Sequence, residues 1–332
     1  MRVCVVGGTG NISTGIVRLL VEQGHEVTCF NRGQTPGLHP KAKLLKGDRK
    51  ADPAGYEQAV REQHFDAGID MLCSFPEFAA SSIRAFAGVK HFIQCSTVCT
   101  YGIEYDWMPV SEDHPLRPVT DYGRNKVAAD HLYLDAYHRD GFPVTILKPS
   151  TTYGPTWDML RQVSQGGDWV DRVQKGKPIA VCGDGRAIHQ FLYAADAAPA
   201  FVFALGRERC LGQTYNVMRR GYTSWTDYHR TAMKVIGREV EMVGVPLANP
   251  QAAKVPNLGL CEGIFSYNTV YNSEKLFRDV PEFRPKVSLE EGLSRVYESM
   301  KKRNRITDSG RSDWEDRLIA EQRKVGQAAV SQ

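Results

Sequence analysis

The first thirty residues carry the pattern that most restricts how this chain folds. An apolar run at residues 3–6 is followed by the turn Gly7-Gly8-Thr9-Gly10 and then by a helical pattern that ends at Gly24. A second apolar run at residues 26–30 completes a strand–helix–strand unit. Glycines between a strand and a helix let a phosphate approach the backbone at the helix amino end. The pattern therefore predicts a nucleotide-binding α/β unit, with the small Ser13 in place of a third glycine.

Alternating strands and helices continue from this unit to about residue 150. Apolar runs predict strands at residues 43–46, 67–72, 91–95 and 144–147, with helices at 56–63, 77–87 and from 122 onwards. Such alternation is typical of a parallel sheet with helices on both faces. The chain is therefore predicted to form an α/β, doubly wound parallel sheet of the Rossmann type.

The pattern loosens after residue 150, which predicts a smaller C-terminal substrate-binding lobe. Helices are predicted at 157–175, 196–205, 225–236 and from 288 onwards, with short strands at 179–181 and 215–217 and an irregular stretch at 240–287. The Rossmann domain is expected to comprise residues 1–150 with 188–218, and the lobe residues 151–187 with 219–300. Residues 301–332 form a charged tail with a helix predicted at 314–325, which either docks or stays solvated.

Composition excludes several other classes of protein. The chain has 332 residues, and its 42 basic and 38 acidic side chains give a net charge of +4, too small to indicate nucleic acid or membrane as a partner. No apolar run approaches the ~20 residues needed to span a bilayer. The eight cysteines are scattered without a Cys-x-x-Cys motif, which predicts reduced thiols in a cytoplasmic protein and no metal site.

The end of the second predicted strand bears on which nucleotide binds. An NAD site usually has Asp or Glu there to bind the ribose 2′-hydroxyl, whereas this chain has Asn31-Arg32-Gly33. Arg32 suits a bidentate contact with a 2′-phosphate, which favours NADP over NAD. The alternative is that Arg32 lies in solvent and Asn31 alone binds the ribose.

Tyr122 and Lys126 lie four residues apart, and on a helix they would share one face. A neighbouring ammonium lowers the pKa of a tyrosine from its usual ~10. A tyrosine adjusted in this way exchanges protons at neutral pH. The spacing alone also fits an ordinary exposed helix face, but Ser96 and Thr97 place hydroxyls after the fifth predicted strand, where ligands bind in open α/β sheets.

Several short motifs occur in the order and separation found in one known family. They are Gly7-Gly8-Thr9-Gly10-Asn11-Ile12-Ser13, Gly47-Asp48-Arg49, Ser96-Thr97-Val98-Cys99-Thr100-Tyr101-Gly102, Tyr122-x-x-x-Lys126, residues 148–155, Gly183-Asp184-Gly185, Tyr215-Asn216-Val217 and residues 287–292. With them, the chain resembles the extended short-chain dehydrogenase/reductase family, the NAD-dependent epimerases and dehydratases, over about residues 1–300. The short spacing between Cys73 and Ser96 and the Phe-Asn-Arg-Gly sequence also resemble the subgroup around chloroplast stem-loop binding proteins.

The resemblance implies a catalytic set and a cofactor. Thr97 would bond the substrate oxygen, with Ser96 as the second choice. Tyr122 would be the general acid or base, and Lys126 would hold the nicotinamide ribose and lower the Tyr122 pKa. The implied cofactor is NAD(P)(H), with Asp48 and Arg49 beside the adenine. The residues expected to bind it are Gly7, Thr9, Gly10, Asn11, Ile12, Asn31, Arg32, Asp48, Arg49, Cys73, Ser74, Tyr122, Lys126, Lys148 and Pro149.

The substrate-binding positions depart from the family pattern. Members that act on nucleotide sugars often have an arginine where this chain has His189, and an asparagine where it has Thr151. A neutral histidine grips a diphosphate less well than the arginine fork does. Arg186, Arg219 or Arg220 would supply the missing charge, unless the substrate lacks a diphosphate. The trimmed stretch between residues 73 and 96 also puts the family's usual homodimer in question.

The predicted function is an NAD(P)-dependent epimerase of a sugar or sugar nucleotide, acting through a transient keto intermediate. Val98 and Cys99 stand where a dehydratase would carry acid/base carboxyl groups, which lowers the case for dehydration. One alternative is an NADP-dependent reductase or dehydrogenase of a small carbonyl or polyol. A second, from another class, is a non-catalytic RNA-binding or redox-sensing regulator. The mild charge argues against RNA binding, which needs a basic patch.

Overall fold

The computed structural model describes residues 1–330, with side chains through residue 325. The strands are β1 Arg2–Val6, β2 Glu26–Asn31, β3 Lys43–Lys46, β4 Ala67–Asp70, β5 His91–Cys95, β6 Val144–Pro149, β7 Thr152–Tyr153, β8 Ile179–Cys182, β9 Ile188–His189, β10 Leu192–Tyr193, β11 Thr214–Val217, β12 Thr223–Ser224 and β13 Met242–Val245. The α-helices are α1 Ser13–Glu22, α2 Pro53–Glu62, α3 Pro76–Ala85, α4 Asp121–Asp140, α5 Asp168–Gln174, α6 Ala194–Ala204, α7 Trp225–Ile236, α8 Ala248–Ala252, α9 Glu274–Asp279, α10 Leu289–Lys302 and α11 Trp314–Val330.

A seven-stranded parallel sheet, in the order β11-β6-β5-β4-β1-β2-β3, confirms the predicted fold class. Side chains alternate along β1, so Val3 and Val5 pack into the core on one face and Cys4 and Val6 into the core on the other. Helices α1, α6 and α9 contribute to the first core, and α2, α3 and α4 to the second. The sheet is therefore doubly wound, with the carboxyl ends of its strands along one edge.

The chain divides into two compact units. The first comprises Met1–Thr152, Leu192–Arg220 and Tyr271–Lys286, and the second comprises Tyr153–Phe191, Gly221–Val270 and Val287–Gln332. The segment at 271–286 was expected in the substrate-binding lobe, and this expectation is wrong. Leu276, Val280 and Phe283 are fully buried in the first core of the sheet domain, so their apolar surface holds the segment there.

The C-terminal tail is part of the second unit. Trp314, Leu318 and Ile319 of α11 are buried in a core with β8 and β13, which pair in parallel. The carboxylate of Glu315 binds the guanidinium of Arg161, and both side chains are almost wholly buried. The apolar face of α11 therefore docks, which decides between the two arrangements left open for the tail.

Two predicted stretches have a different local structure. The helix expected at 157–175 is confined to α5, because backbone N–H groups before it donate to side chains instead of to helical carbonyls: Leu160 donates to the Tyr228 hydroxyl at 3.1 Å. The stretch at 240–287 is less irregular than expected, since it holds β13, α8, α9 and a π-helical turn at Cys261–Phe265. Short elements such as these give little periodicity for a sequence to show.

Two general properties of the described residues bear on function. None of the helices found in residues 1–330 has the length and apolar character required to cross a lipid bilayer. The same part of the chain has no group of three or more His, Cys, Asp or Glu side chains arranged to hold a metal ion. All eight cysteines are free thiols.

Candidate active site

The glycine turn after β1 is shaped by the close approach of Cys29 and by the hydrogen bonds of Ser13. Gly7 has a φ of +89° and its N–H donates to the Phe30 carbonyl at 3.0 Å. A Cβ on Gly8 would lie 2.3 Å from the Cys29 sulfur, so no larger residue fits there. The Ser13 hydroxyl donates to the Gly7 carbonyl at 2.5 Å and accepts from the Gly10 N–H at 2.7 Å. Ser13 therefore ties the two ends of the turn together.

A cavity of about 260 Å³ opens beside this turn in the first unit. It is lined by Val6, Gly7, Thr9, Gly10, Phe30, Asn31, Arg32, Gln34, Thr35, Gly47, Asp48, Arg49 and Leu72. The Asn31 side-chain oxygen accepts from the Gly33 N–H at 2.8 Å, while its buried Nδ2 has no partner among the described residues. Helix α1 has no side-chain N-cap, which leaves its amino end suited to an anion. These features fit a dinucleotide.

Six of the cavity's lining residues were not among the predicted cofactor contacts: Val6, Phe30, Gln34, Thr35, Gly47 and Leu72. Phe30 precedes Asn31 on β2, Gln34 and Thr35 follow Arg32 in an exposed loop, and Leu72 lies against the glycine turn. The two loop residues carry polar groups close to Arg32 in the sequence, which is a signal that they lie near the same phosphate. Leu72 gave no such signal, because an apolar residue after a strand is ordinarily taken as core.

Arg49 lines the cavity, but its guanidinium serves the fold. It binds Asp70 at 2.6 Å and donates to the Ser82 hydroxyl at 3.0 Å, between the rings of Tyr56 and Phe78. The expectation that Arg49 binds adenine is therefore wrong for its charged group, because both terminal nitrogens of that group are bound to Asp70, the Phe78 carbonyl and Ser82 inside the protein. Asp48 remains at the cavity, where its carboxylate accepts from the Lys50 N–H at 3.0 Å and shapes the turn.

Three of the other predicted cofactor residues are buried. Cys73 has no exposed surface and accepts a hydrogen bond from the Tyr133 hydroxyl at 3.8 Å, while Ser74 beside it is half-buried. Pro149 is buried at the end of β6. The Lys148 ammonium, 3% exposed, is bound to Asp130 at 3.3 Å and to the Thr100 hydroxyl at 2.9 Å. The prediction of Lys148 as a cofactor ligand is therefore wrong, because its charge is paired inside the protein.

Helix α4 brings Tyr122 and Lys126 to the end of β5. Its N-cap, Thr120, accepts a hydrogen bond from the Gly123 N–H at 3.1 Å. A Cβ on Gly123 would lie 2.7 Å from the Cys99 carbonyl oxygen, so this glycine lets the helix lie against the segment that follows Thr97. The sequence Tyr-Gly therefore positions the tyrosine as well as supplying it.

Tyr122 and Lys126 form the pair that their spacing predicted. The Lys126 ammonium lies 5.8 Å from the centre of the Tyr122 ring and donates to the Cys95 carbonyl at 2.6 Å. Lys126 is 2% exposed and Tyr122 is 48% exposed. The phenol is thus open to a ligand, while the ammonium beside it is fixed by the backbone of β5.

The pKa of Tyr122 does not fall as predicted. Partial burial of the phenol raises it above 10, and this effect outweighs the lowering by the Lys126 charge and by a hydrogen bond with Thr97. The pKa of Lys126 is also raised: burial acts to lower it, but the acidic groups around it, Tyr122 first, outweigh burial. By themselves these residues therefore hold a neutral phenol beside an ammonium.

Thr97 lies at the Tyr122–Lys126 pair, and Ser96 is turned away from it. The Thr97 side chain is 8% exposed, and its oxygen accepts from the Cys99 N–H at 3.2 Å. The Ser96 hydroxyl donates to Asp130 at 2.7 Å in the interior. The second choice of Ser96 for the substrate contact is therefore wrong, because its hydroxyl is committed to a buried carboxylate.

His189, a predicted substrate contact, is wholly buried in the second unit. Its ring packs with Phe191, Trp225 and Phe265, and its Nδ1 lies 2.9 Å from the Thr269 hydroxyl. Burial lowers the pKa of His189 to about 4, so the ring is neutral at pH 7. The prediction is wrong for the structure, since a side chain without exposed surface does not contact a ligand.

The remaining predicted substrate residues lie nearer the surface of their own units. Arg186 in the second unit is 84% exposed and 3.6 Å from Asp184. In the first unit, Arg219 follows β11 and is half-buried, as is Thr151, whose carbonyl accepts from the Leu192 N–H at 2.9 Å.

Comparison with known proteins finds similarity to one enzyme family. The model of the NAD dependent epimerase/dehydratase family matches residues 77–217. The 2′-dehydrokanamycin reductase of Streptomyces kanamyceticus is 28% identical over 74% of this chain and 70% of its own. A chloroplast stem-loop binding protein of 41 kDa from Arabidopsis thaliana is 26% identical over 71% of this chain and 63% of its own.

A solved structure supports the similarity at the level of fold. The UDP-glucose 4-epimerase of Thermotoga maritima superimposes with a TM-score of 0.74 at 21% identity, covering 92% of this chain and 100% of the other. These comparisons confirm the resemblance that the sequence predicted, to the NAD-dependent epimerases and dehydratases of the extended short-chain dehydrogenase/reductase family, and they support an enzyme.

Proposed function

We propose that this protein is an NAD(P)-dependent epimerase of a sugar or sugar nucleotide that works by transient oxidation to a keto intermediate. The observation that carries the proposal is the exposed Tyr122 phenol with the Lys126 ammonium and the Thr97 hydroxyl beside it. The cavity lies in the same unit, and the Asn31 Nδ2 beside it, which has no partner among the described residues, suits a nucleotide contact. Val98 and Cys99 supply no carboxyl group, which favours epimerisation over dehydration.

The proton steps of this proposal belong to Tyr122. An alcohol that loses hydride must also lose its O–H proton, and the Tyr122 oxygen takes that proton and later returns it. The Thr97 hydroxyl bonds the reacting oxygen, and Lys126 stabilises the phenolate. When bound, NAD(P) accepts and returns the hydride, and the positive charge of its oxidised form favours the phenolate. That charge would offset the burial that raises the Tyr122 pKa.

NADP is the proposed form of the cofactor. Arg32 stands at the cavity next to Asn31, where an NAD site usually has a carboxylate. Gln34 and Thr35 line the same part of the cavity and offer further polar groups to a 2′-phosphate. The glycine turn and the amino end of α1 would hold the pyrophosphate, and Lys126 would hold the nicotinamide ribose.

A sugar nucleotide would need charged anchors other than His189. Arg186 and Arg219 are the proposed anchors, with Thr151 as a further polar contact. Arg220 is less suited, because its guanidinium is bound to Glu274 at 2.7 Å and lies over the Phe277 ring. A sugar without a diphosphate fits the same residues with fewer charge contacts.

The second candidate is an NADP-dependent reductase of a carbonyl on a sugar or polyol. Two observations favour it: Arg32 at the cavity, and the buried neutral His189 in place of a diphosphate anchor. The relative from Streptomyces kanamyceticus, by its name a reductase, adds to this reading. The exposed Tyr122 with its lysine argues against the third alternative, a non-catalytic RNA-binding or redox-sensing regulator. A cytoplasmic location, in keeping with eight free thiols, completes the proposal.

Identifying the nucleotide that the purified protein retains tests these readings against each other. An epimerase regenerates its cofactor and is expected to keep it through purification, whereas a reductase must exchange it at every turnover. Denaturation followed by chromatography is expected to release about one NAD(P) per chain, since tight binding survives dilution. An empty protein that oxidises added NADPH with sugar ketones would replace the epimerase with the reductase.

A further inference from the structure

A buried charge network lies next to the catalytic set, and the proton chemistry proposed above leaves it without a role. Asp130 and Lys148 are 1% and 3% exposed, and the Lys148 ammonium lies 3.3 Å from an Asp130 oxygen. Burying two charges carries a desolvation penalty that their mutual attraction often only balances. Such a pair therefore contributes little net stability, and its location beside the catalytic set suggests another role.

Asp130 extends the face of α4 that carries the catalytic pair. Tyr122, Lys126 and Asp130 follow one another at intervals of four residues, so they lie in a row on one side of the helix. The same Asp130 oxygen that binds Lys148 accepts a hydrogen bond from the Ser96 hydroxyl at 2.7 Å. Ser96 directly precedes Thr97, so Asp130 holds one side of the threonine to the helix.

Lys148 holds the other side of Thr97. Its ammonium donates to the Thr100 hydroxyl at 2.9 Å, and that hydroxyl donates to the Thr97 carbonyl at 2.9 Å. The ammonium also lies 4.8 Å from the centre of the Tyr101 ring, in the same turn. Lys148 itself is on β6, the strand beside β5, so both ends of the segment 96–100 are fixed from neighbouring elements.

We propose that the Asp130–Lys148 ion pair is a positioning device that holds Thr97 in register with Tyr122 and Lys126. Two hydroxyl-bearing arms, Ser96 and Thr100, connect the pair to the residues on either side of Thr97. Neither Asp130 nor Lys148 touches the substrate in this role. The kinetic part of the inference rests on the proposed function, while its structural part does not.

The structural part is tested by hydrogen exchange of the nucleotide-free protein. Lys148→Met removes the Thr100 arm, and Asp130→Asn with Lys148→Met removes both charges, which avoids leaving one buried charge unpaired. In both variants we expect amides in the peptide spanning residues 96–102 to exchange about tenfold faster, because local opening there is easier. The matched control is Glu315→Gln, which breaks the buried pair with Arg161 in the second unit. In the Glu315→Gln variant we expect faster hydrogen exchange in the C-terminal tail and not at residues 96–102.

The kinetic part uses the same three variants. The double variant is expected to regain much of the stability lost by Lys148→Met and yet to turn over about 100-fold more slowly, with KM nearly unchanged, because small misplacements of reacting groups cost that much. Glu315→Gln is expected to lose stability and keep kcat. Normal kcat in the double variant, or no added exchange at 96–102, would overturn the inference. A wild type without turnover but with the exchange pattern intact would instead overturn the proposed function alone.

Discussion

The two compact units treat their predicted site residues in opposite ways. In the first unit, Tyr122 is 48% exposed with Lys126 and Thr97 at its side, close to the arrangement that the motifs predicted. In the second unit, His189 occupies an aromatic cluster with no exposed surface. The first unit leaves its predicted acid/base residue accessible, whereas the second unit buries its predicted substrate contact.

The difference follows from what precedes each residue in the chain. Thr97 follows a parallel strand, and Tyr122 begins a helix beside it, so sheet topology brings them to the ligand-binding edge. His189 lies on the two-residue strand β9, which pairs in antiparallel fashion with the equally short β12. A long parallel sheet fixes the edge at which the residues after its strands lie. In a two-residue strand, the packing of neighbouring side chains decides whether a residue is buried or exposed.

Tyr122→Phe is expected to produce the largest effect, confined to turnover. Removing the acid/base group is expected to lower kcat by about 10²- to 10⁴-fold while NAD(P) affinity stays the same. The measurements are steady-state kinetics and a fluorescence titration with nucleotide. Tyr222→Phe, at a 65% exposed tyrosine, is the control and should behave as wild type. More than about a tenth of the activity in the Tyr122 variant would contradict the role of the phenol.

Acid is expected to destabilise the second unit through its buried histidines. Burial lowers the pKa of His189 to about 4 and that of His229 to about 3, from 6.5. Each folded pKa lies below the unfolded value, so the unfolded chain binds protons first and stability falls as pH drops below 6.5 towards these values. For His189 alone the loss between pH 6.5 and 4 is about 3 kcal/mol.

Denaturant titrations at several pH values, followed by tryptophan fluorescence, measure this loss. Four of the five tryptophans, 157, 169, 225 and 314, lie in the second unit, so their emission reports mainly on it. His189→Phe is expected to make the free energy of unfolding less dependent on pH in this range, and His138→Phe, at an exposed histidine, is the control. An unchanged pH dependence together with a raised substrate KM would return His189 to the substrate site.

Arg32→Ala is expected to give an intermediate effect on cofactor choice. The loss of a charge-assisted contact with the 2′-phosphate should weaken NADP binding by about tenfold or more and leave NAD binding nearly unchanged. Isothermal titration with both nucleotides measures the difference. Arg18→Ala, on the exposed face of α1, controls for a general loss of positive charge. Equal weakening of both nucleotides would remove the case for a 2′-phosphate contact.

Arg186→Ala is expected to give the smallest effect on stability. The pair with Asp184 is exposed, so its loss should change the free energy of unfolding by less than about 0.5 kcal/mol. Any rise in KM for a sugar nucleotide then reports on substrate binding alone. The comparison variant is Arg161→Ala, whose buried partner Glu315 should make it clearly unstable. A similar loss of stability in both variants would show that Arg186 is structural.

Much of the fold and about half of the candidate site were accessible from the sequence. The strands of the sheet came from short continuous apolar runs, and Tyr122 with Lys126 came from helical spacing, both of which are local properties. Lys148, Arg49 and Ser96 were assigned to ligands because they are polar and follow strands. Their partners, Asp130 and Asp70, lie 18 to 34 residues away in the chain. Nothing local shows such a pairing.

The sequence by itself determined the order of strands and helices and the glycine turn at a helix amino end, because each depends on near neighbours in the chain. The family resemblance added the prediction that Thr97, Tyr122 and Lys126 act together. Only the tertiary structure decided which polar groups face a ligand and which neutralise one another inside. It buried His189 among aromatic rings and paired Lys148 with Asp130. It also raised the Tyr122 pKa where the sequence predicted a fall, because burial depends on every surrounding atom and the spacing of two residues does not report it.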